Sequence, residues 1–120
     1  MPGMTYRQLG DSGLTVSTVG LGCNQIGRRL DLAGTRAVVD AAIESGITLF
    51  DAADVYGTPQ GTCEELLGQA LEGRRDGLVL ATKFGMPAGD MTMPAHEARG
   101  SRRCARARLS GRRFRNTEFQ

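Results

Sequence analysis

The sequence has few aromatic residues and no tryptophan. Aromatic side chains make up 5% of the 120 residues, whereas hydrophobic residues of all kinds make up 40%. A buried core must therefore be built mainly from aliphatic side chains. A charged fraction of 23% beside this hydrophobic content is typical of a globular chain and argues against general disorder. The length predicts one small domain.

Long hydrophobic runs and metal-ligand clusters are also missing. No stretch approaches the roughly 18–20 apolar residues of a membrane span, and no signal-peptide pattern opens the chain. The three cysteines Cys23, Cys63 and Cys104 are an odd number without CxxC spacing, so neither a disulfide set nor a zinc site is expected. The single histidine, His96, is interpreted as a solvated loop residue. Together these absences predict a cytoplasmic protein without a bound metal.

Charge is divided unevenly along the chain. Residues 1–96 carry 7 basic and 11 acidic side chains, whereas residues 97–120 carry 8 arginines and 2 glutamates. We interpret the first segment as the globular part and the second as an Arg-rich tail. The tail has one leucine and neither valine nor isoleucine, so we expect no buried strand there. A GC-rich gene read out of frame often gives such a composition, and a frameshift near residues 100–104 is one hypothesis.

Short strands alternate with helices in the first ninety residues. A β-hairpin is predicted over residues 5–17. Strands are predicted at residues 18–22, 47–51 and 78–83, and helices at 35–45, 62–72 and, on propensity alone, 101–110. Gly46 is expected to end the first helix, and Thr62 with Glu65 to open the second as a capping box. Apolar strands recurring about every thirty residues predict a parallel sheet covered on both faces, in a (β/α) barrel or a doubly wound sheet.

Two glycine-rich segments match phosphate-binding loops only in part. Gly20 and Gly22 lie at the end of the strand predicted at residues 18–22, but the third glycine of a dinucleotide fingerprint would fall at Gln25. The segment from Gly22 to Gly27 has the glycine spacing of a P-loop, yet Arg28 stands where that motif requires lysine. We therefore expect neither segment to be a phosphate-binding loop.

A carboxylate, a phenol and an amine are predicted to meet at one edge of the sheet. Asp51 ends the second predicted strand of the parallel sheet, Tyr56 lies five residues later, and Lys83 ends the third strand. In (β/α) barrels this edge holds the functional residues. An ammonium beside a phenol favours the phenolate, and a carboxylate keeps the ammonium charged, so the trio would be a general acid for a carbonyl oxygen. Alternatively, Asp51 caps a turn, Tyr56 covers the sheet edge and Lys83 is solvated.

Several segments together carry a recognisable family pattern. They are YRQLG (6–10), GLTVS (13–17), GLG (20–22), GITLFD (46–51), DVYG (54–57), EELLG (64–68) and LATKFG (80–85). With these segments, residues 4–92 resemble the N-terminal part of an aldo-keto reductase. Each segment is weakly specific alone, but the strand ending in Asp51 with Tyr56 five residues later is specific in combination with the ATKFG strand end (81–85).

The resemblance implies an incomplete (β/α)8 TIM barrel, made of an N-terminal hairpin and about three βα units. It also implies NADP(H)-dependent reduction of an aldehyde or ketone to an alcohol. Tyr56 would donate the proton, Lys83 would make Tyr56 a stronger acid, and Asp51 would pair with Lys83. The cofactor-binding positions that the resemblance implies are Gly22, Cys23, Asn24 and Asp51.

The family's fourth catalytic residue, a histidine that ends the fourth strand, has no counterpart, because His96 lies in a predicted loop. We therefore expect the 120-residue chain to be a truncated, inactive fragment. Three βα units do not close a barrel of about 250 residues, and the third strand is expected to expose an unpaired edge.

Two other interpretations stay open. One is a small binding module whose basic tail has nonspecific nucleic-acid affinity, and the other is a noncatalytic half-barrel that assembles with a partner fragment. For the reductase, the expected partner is a small-molecule carbonyl substrate, with no specific nucleic acid, no membrane and no identified partner protein.

Overall fold

A computed structural model describes residues 3–85, 106–109 and 112–113. The strands are β1 (Tyr6–Gln8), β2 (Thr15–Ser17), β3 (Gly20–Gly22), β4 (Leu49–Asp51), β5 (Val79–Thr82), β6 (Arg106–Leu109) and β7 (Arg112–Arg113). The helices are α1 (Leu32–Glu44) and α2 (Thr62–Ala70). None of the helices in the described part is long and apolar enough to cross a membrane.

The centre of the fold is a parallel sheet of β3, β4 and β5. Helix α1 connects β3 to β4, and helix α2 connects β4 to β5, so the predicted alternation of strands and helices is confirmed. The register places Phe50 between Leu21 on β3 and Leu80 on β5. Parallel order brings the carboxyl ends of all three strands to one edge, where a site assembled from several strands can form.

The predicted hairpin is also confirmed, as β1 pairs with β2 in a separate antiparallel sheet. It is fastened to the start of β4 by a reciprocal pair of hydrogen bonds. The Ser17 N–H donates to Thr48 Oγ1 at 2.8 Å, and the Thr48 N–H donates to Ser17 Oγ at 2.9 Å. Leu14 and Val16 pack against Val79 at the start of β5. The hairpin therefore lies at the amino ends of the strands and leaves the carboxyl ends open.

The core between helices and sheet is mainly aliphatic, as the composition predicts. Phe50 is the largest fully buried side chain, with 0% relative exposure. Its neighbours in the main cluster include Ile26, Val39, Leu67, Leu71 and Leu78. Helix α1 and helix α2 both contribute to this cluster, so burial of apolar side chains holds them against the sheet. The loops that precede these helices therefore lie at the carboxyl ends of the strands.

The expectation that β5 exposes an unpaired edge was wrong. Strand β6 pairs antiparallel with β5, placing Arg108 opposite Leu80, and β7 pairs antiparallel with β6. The ladder bonds come from backbone N–H and C=O groups, so a segment poor in valine and isoleucine can still cover an edge. The helix predicted over residues 101–110 was also wrong at residues 106–109, because these residues form strand β6 and pair with β5.

Helix α1 begins three residues before the predicted start at residue 35, and hydrogen bonds close both of its ends. The Asp31 side chain accepts a hydrogen bond from the Gly34 N–H at 2.8 Å and caps the amino end. At the carboxyl end Gly46 adopts φ +84°, its N–H donates to Ile43 O, and the Ile47 N–H donates to Ala42 O. This is a Schellman motif, so the prediction that Gly46 ends the helix is confirmed.

The capping box predicted for α2 was wrong. The N-cap is Gly61, at φ +91°, and Thr62 is already inside the helix. The Thr62 hydroxyl donates to Pro59 O at 2.5 Å instead of accepting from the helix. The turn before the helix thus sets its first residue one position earlier than the T-x-x-E pattern indicates.

Replacing Gly46 by alanine is expected to lower the free energy of unfolding by about 1–3 kcal/mol. The backbone has positive φ there, and an added Cβ would lie 2.9 Å from Tyr6 Oη and 3.1 Å from Met4 Cβ. The matched control is Gly68→Ala in α2, where a Cβ would meet no heavy atom of the described residues within 4 Å other than the helix's own nearby backbone. That change is expected to stabilise by about 0.5–1 kcal/mol. Urea unfolding followed by circular dichroism measures both, and equal shifts would contradict the argument.

Candidate active site

The structure brings Asp51, Tyr56 and Lys83 together at the carboxyl edge of the sheet. Asp51 is the last residue of β4, Lys83 directly follows β5, and Tyr56 lies in the loop between β4 and α2. The parallel register, which pairs Asp51 with Ala81, puts the two strand ends side by side. The sequence-based prediction that these side chains share one end of the sheet agrees with this placement.

The ammonium of Lys83 is the centre of the cluster. Its Nζ donates to Asp51 Oδ1 at 2.6 Å, to Ala52 O at 3.0 Å and to Tyr56 Oη at 3.3 Å. An ammonium has three N–H donors and no acceptor, so each donor has an oxygen to meet. Because Tyr56 Oη accepts from Lys83, the phenolic proton is free to be donated to another oxygen.

Two opposing effects act on the pKa of the Lys83 amine. Partial burial by itself lowers the pKa of the Lys83 amine, but the hydrogen bonds and charges of Asp51 and Tyr56 outweigh it and raise that pKa above its usual value. The amine is therefore charged at neutral pH. The Lys83 and Asp51 side chains are 33% and 51% exposed, so water screens part of their attraction.

Backbone hydrogen bonds hold the loop that carries Tyr56. The Asp54 N–H donates to Lys83 O at 3.0 Å, and the Gly61 N–H donates to Asp54 O at 2.8 Å. At Gly57, φ is +86° and an added Cβ would lie 2.9 Å from the Cys63 nitrogen, so only glycine fits there without strain. The phenol is thus presented from a loop bonded to Lys83, just beyond β5, and to Gly61, the N-cap of α2.

The other predicted cofactor-binding residues lie at the end of β3 and directly after it. Gly22 ends the strand and is exposed, and so is Asn24. Cys23 is 1% exposed, and its side chain packs in the core rather than at the open edge. Its N–H donates to Asp51 O at 2.9 Å and so ties this segment to the end of β4.

Some groups at the site were missed by sequence reasoning, and some predictions fall outside the described residues. The Ala52 carbonyl and the Asp54 N–H both bond to Lys83, but a backbone group leaves no signal in a sequence.

His96 and Cys104 lie outside the described residues. Within the described ranges no cluster of three or more histidine, cysteine or acidic residues is placed to hold a metal ion.

Cys23 and Cys63 lie beside the site as free, buried thiols. Burial raises the pKa of Cys23 to about 12 and that of Cys63 to about 11. The thiol of Cys63 donates to Cys23 O at 3.3 Å. Because the thiolate is the reactive form, both side chains should be poor nucleophiles at neutral pH.

We expect iodoacetamide at pH 8 to leave Cys23 and Cys63 unmodified in native buffer and to alkylate both in urea. In the unfolded chain a thiol has a pKa of about 8.5, so unfolding raises the thiolate fraction as well as the access. A Cys104→Ser background restricts the readout to these two positions, and mass spectrometry counts the adducts. Rapid native labelling of either thiol would contradict the burial.

The amino-acid sequence of this chain is similar to sequences of known proteins. A sequence model described as the Aldo/keto reductase family matches residues 18–115. The chain is 44% identical over 82 residues to the uncharacterized oxidoreductase YqkF of Bacillus subtilis, covering 68% of this chain and 26% of that protein. It is 37% identical over 111 residues to the L-glyceraldehyde 3-phosphate reductase of Escherichia coli, covering 88% of this chain and 31% of that protein.

The solved structures lead to the same family. The chain is similar to the holo form of the aldo-keto reductase AKR11C1 from Bacillus halodurans, with a TM-score of 0.63 and 42% identity. That alignment covers 73% of this chain and 29% of the solved chain. Across these relatives the chain spans between 26% and 31% of their length.

Proposed function

Because this chain belongs to the aldo/keto reductase family, we propose that its described residues carry the proton-donating part of an NADP(H)-dependent carbonyl reduction. The family and the fold class, an α/β chain forming part of a TIM barrel, confirm the predictions made from the sequence. The observation that carries the proposal is one ammonium, Lys83 Nζ, hydrogen-bonded to both Asp51 Oδ1 and Tyr56 Oη.

In the proposed reaction an aldehyde or ketone becomes an alcohol, and Tyr56 donates a proton to the carbonyl oxygen. The Lys83 ammonium, which already donates to Tyr56 Oη, stabilises the phenolate that remains. Asp51 keeps the ammonium charged and oriented. The alternative of Lys83 as a solvated strand end does not account for the three oxygen acceptors that its ammonium meets.

The residues at the end of β3 and directly after it fit the nicotinamide end of such a cofactor. Apart from its own chain neighbours, no heavy atom of the described residues lies within 4 Å of the position that a Cβ of Gly22 would take, which leaves room for a flat ring. Asn24 exposes a carboxamide, which both donates and accepts hydrogen bonds, as the amide of nicotinamide does. Gly22, Asn24 and Asp51 would hold this end, with Cys23 fastening the segment through its N–H. When bound, the cofactor supplies a hydride.

The substrate in this proposal is a small-molecule carbonyl compound, and the protein is cytoplasmic, with no specific nucleic-acid or membrane partner. The Escherichia coli relative is named for reducing an aldehyde, which supports this class. None of the relatives named above is described as a nucleic-acid-binding protein, so the alternative of a basic binding module gains no support. We retain the division into residues 1–96 and an Arg-rich tail at 97–120 as part of the proposal.

The proposal is tested with a chimera that joins residues 1–85 of this chain to the remaining barrel of the Bacillus halodurans relative. We expect the chimera to consume NADPH with an aromatic aldehyde, measured by loss of NADPH absorbance. A folded chimera without turnover would contradict the proposed function.

The 120-residue polypeptide is expected to show no turnover above background in the same assay. Holding the reactants together accounts for about 7–11 kcal/mol of a barrier, and that requires barrel walls which the described residues do not provide. Robust turnover by this polypeptide would contradict the proposal that it is an inactive fragment. Resequencing the gene across the codons of the tail tests the frameshift hypothesis.

A further inference from the structure

The first turn of α2 is hydrogen-bonded to two segments of the site. One is the loop that carries Tyr56, the proposed proton donor, and the other is the end of β5, next to Lys83. The Cys63 N–H donates to Tyr56 O at 3.2 Å. One residue later, Glu64 Oε1 accepts a 2.5 Å hydrogen bond from the hydroxyl of Thr82, the residue that precedes Lys83. A single helical turn therefore contacts the Tyr56 loop on one side and the end of β5 on the other.

Backbone pairing on both sides of β5 stops before Lys83, since the β6 ladder ends with Thr82 opposite Arg106. The register between β4 and β5 ends with Asp51 opposite Ala81. Beyond that point the backbone of Lys83 is held toward the Tyr56 loop by the Asp54 N–H, which donates to Lys83 O. The four-carbon stem of lysine is flexible but has a limited length, so Nζ can meet both oxygen partners only while the Lys83 backbone lies within that reach.

Side chains alternate across a strand, so Thr82 projects to the face opposite Lys83, toward the helix layer that contains Glu64. We propose that the Thr82–Glu64 hydrogen bond is a positioning device that holds Lys83 Nζ within reach of Asp51 and Tyr56. Thr82 and Glu64 touch no reacting atom and are positioning residues. This inference rests on the proposed function, in which Lys83 assists Tyr56.

A purely structural role for Glu64 makes a different prediction. A carboxylate in the first turn of a helix interacts favourably with the helix dipole, and Glu65 shares that turn. If Glu64 served only the helix, Glu65→Gln would have the same effect as Glu64→Gln, and removing the Thr82 hydroxyl would leave Lys83 unchanged. Thr82→Val is therefore the decisive variant, because valine keeps the shape and the β-branch of threonine.

Lys83 is the only lysine in the chain, so ¹³C-lysine labelling of the 120-residue protein gives a single side-chain reporter. Its titration midpoint is read by NMR from the ε-carbon. In Thr82→Val we expect the midpoint to fall toward that of free lysine, because Nζ loses its acceptors. Thr82→Ser should restore the wild-type midpoint, and the matched control Glu65→Gln should keep it.

An Asp51→Asn variant separates this proposal from the proposed function. If Asp51→Asn leaves the midpoint unchanged, the ion pair and with it the proposed function are overturned. If Asp51→Asn lowers the midpoint and Thr82→Val does not, only the positioning role is overturned. Circular dichroism checks the fold of each variant. Should Thr82→Val fail to fold, Glu64→Ala takes its place, with the same fall expected and an unchanged midpoint overturning the positioning role.

Discussion

Replacing Tyr56 by phenylalanine in the chimera is expected to lower kcat by about 10²–10⁴-fold, the usual contribution of a positioned general acid. The change removes one oxygen and keeps the ring, so the loop and the contact of Lys83 Nζ with the ring, 5.0 Å from its centroid, can persist. What is lost is the hydroxyl whose proton would pass to the carbonyl oxygen. Steady-state loss of NADPH absorbance measures the effect.

The chain supplies a matched control for this substitution. Tyr6 is its only other tyrosine, and it lies in the hairpin at the opposite end of the strands, where its hydroxyl donates to Gly46 O at 2.9 Å. Tyr6→Phe removes the same atom from a site far from the strand ends that carry Asp51 and Lys83, so kcat should stay unchanged. Full activity in Tyr56→Phe would show that another group is the acid.

The substitution Phe50→Ala is expected to lower the free energy of unfolding by about 3–5 kcal/mol, because it leaves a cavity in the centre of the core. Phe50 is fully buried between Leu21 and Leu80 in the sheet. A loss of this size is a large part of the roughly 5–15 kcal/mol that stabilises a typical domain. It should also disturb the site, since Asp51 is the next residue.

Phe84→Ala is the control for the core substitution. Phe84 is 51% exposed, so the same deletion of atoms should change stability by no more than about 0.5 kcal/mol. Urea unfolding of the 120-residue chain, followed by circular dichroism, measures both variants. Equal losses for Phe50→Ala and Phe84→Ala would contradict the assignment of Phe50 to the core.

Local patterns predicted the elements that depend on neighbouring residues. The hairpin, the alternation of strands and helices, and the end of α1 at Gly46 follow from turn residues, periodicity and the conformational freedom of glycine. The capping box at Thr62 was predicted wrongly, because the hydrogen bond to Pro59 comes from the fold of the preceding turn. The pairing of β6 with β5 was missed because backbone ladders carry no side-chain signature.

The candidate site divides in the same way. The sequence by itself determined that Asp51 and Lys83 lie where neighbouring strands end, Lys83 one residue past β5, and that Tyr56 follows Asp51 closely, because strand ends can be read from apolar runs and turns. Only the tertiary structure decided that Lys83 Nζ also meets the Ala52 carbonyl, that Cys23 turns into the core, and that Thr82 bonds to Glu64. These contacts join residues far apart in the chain, and their geometry is set by how helices pack on the sheet.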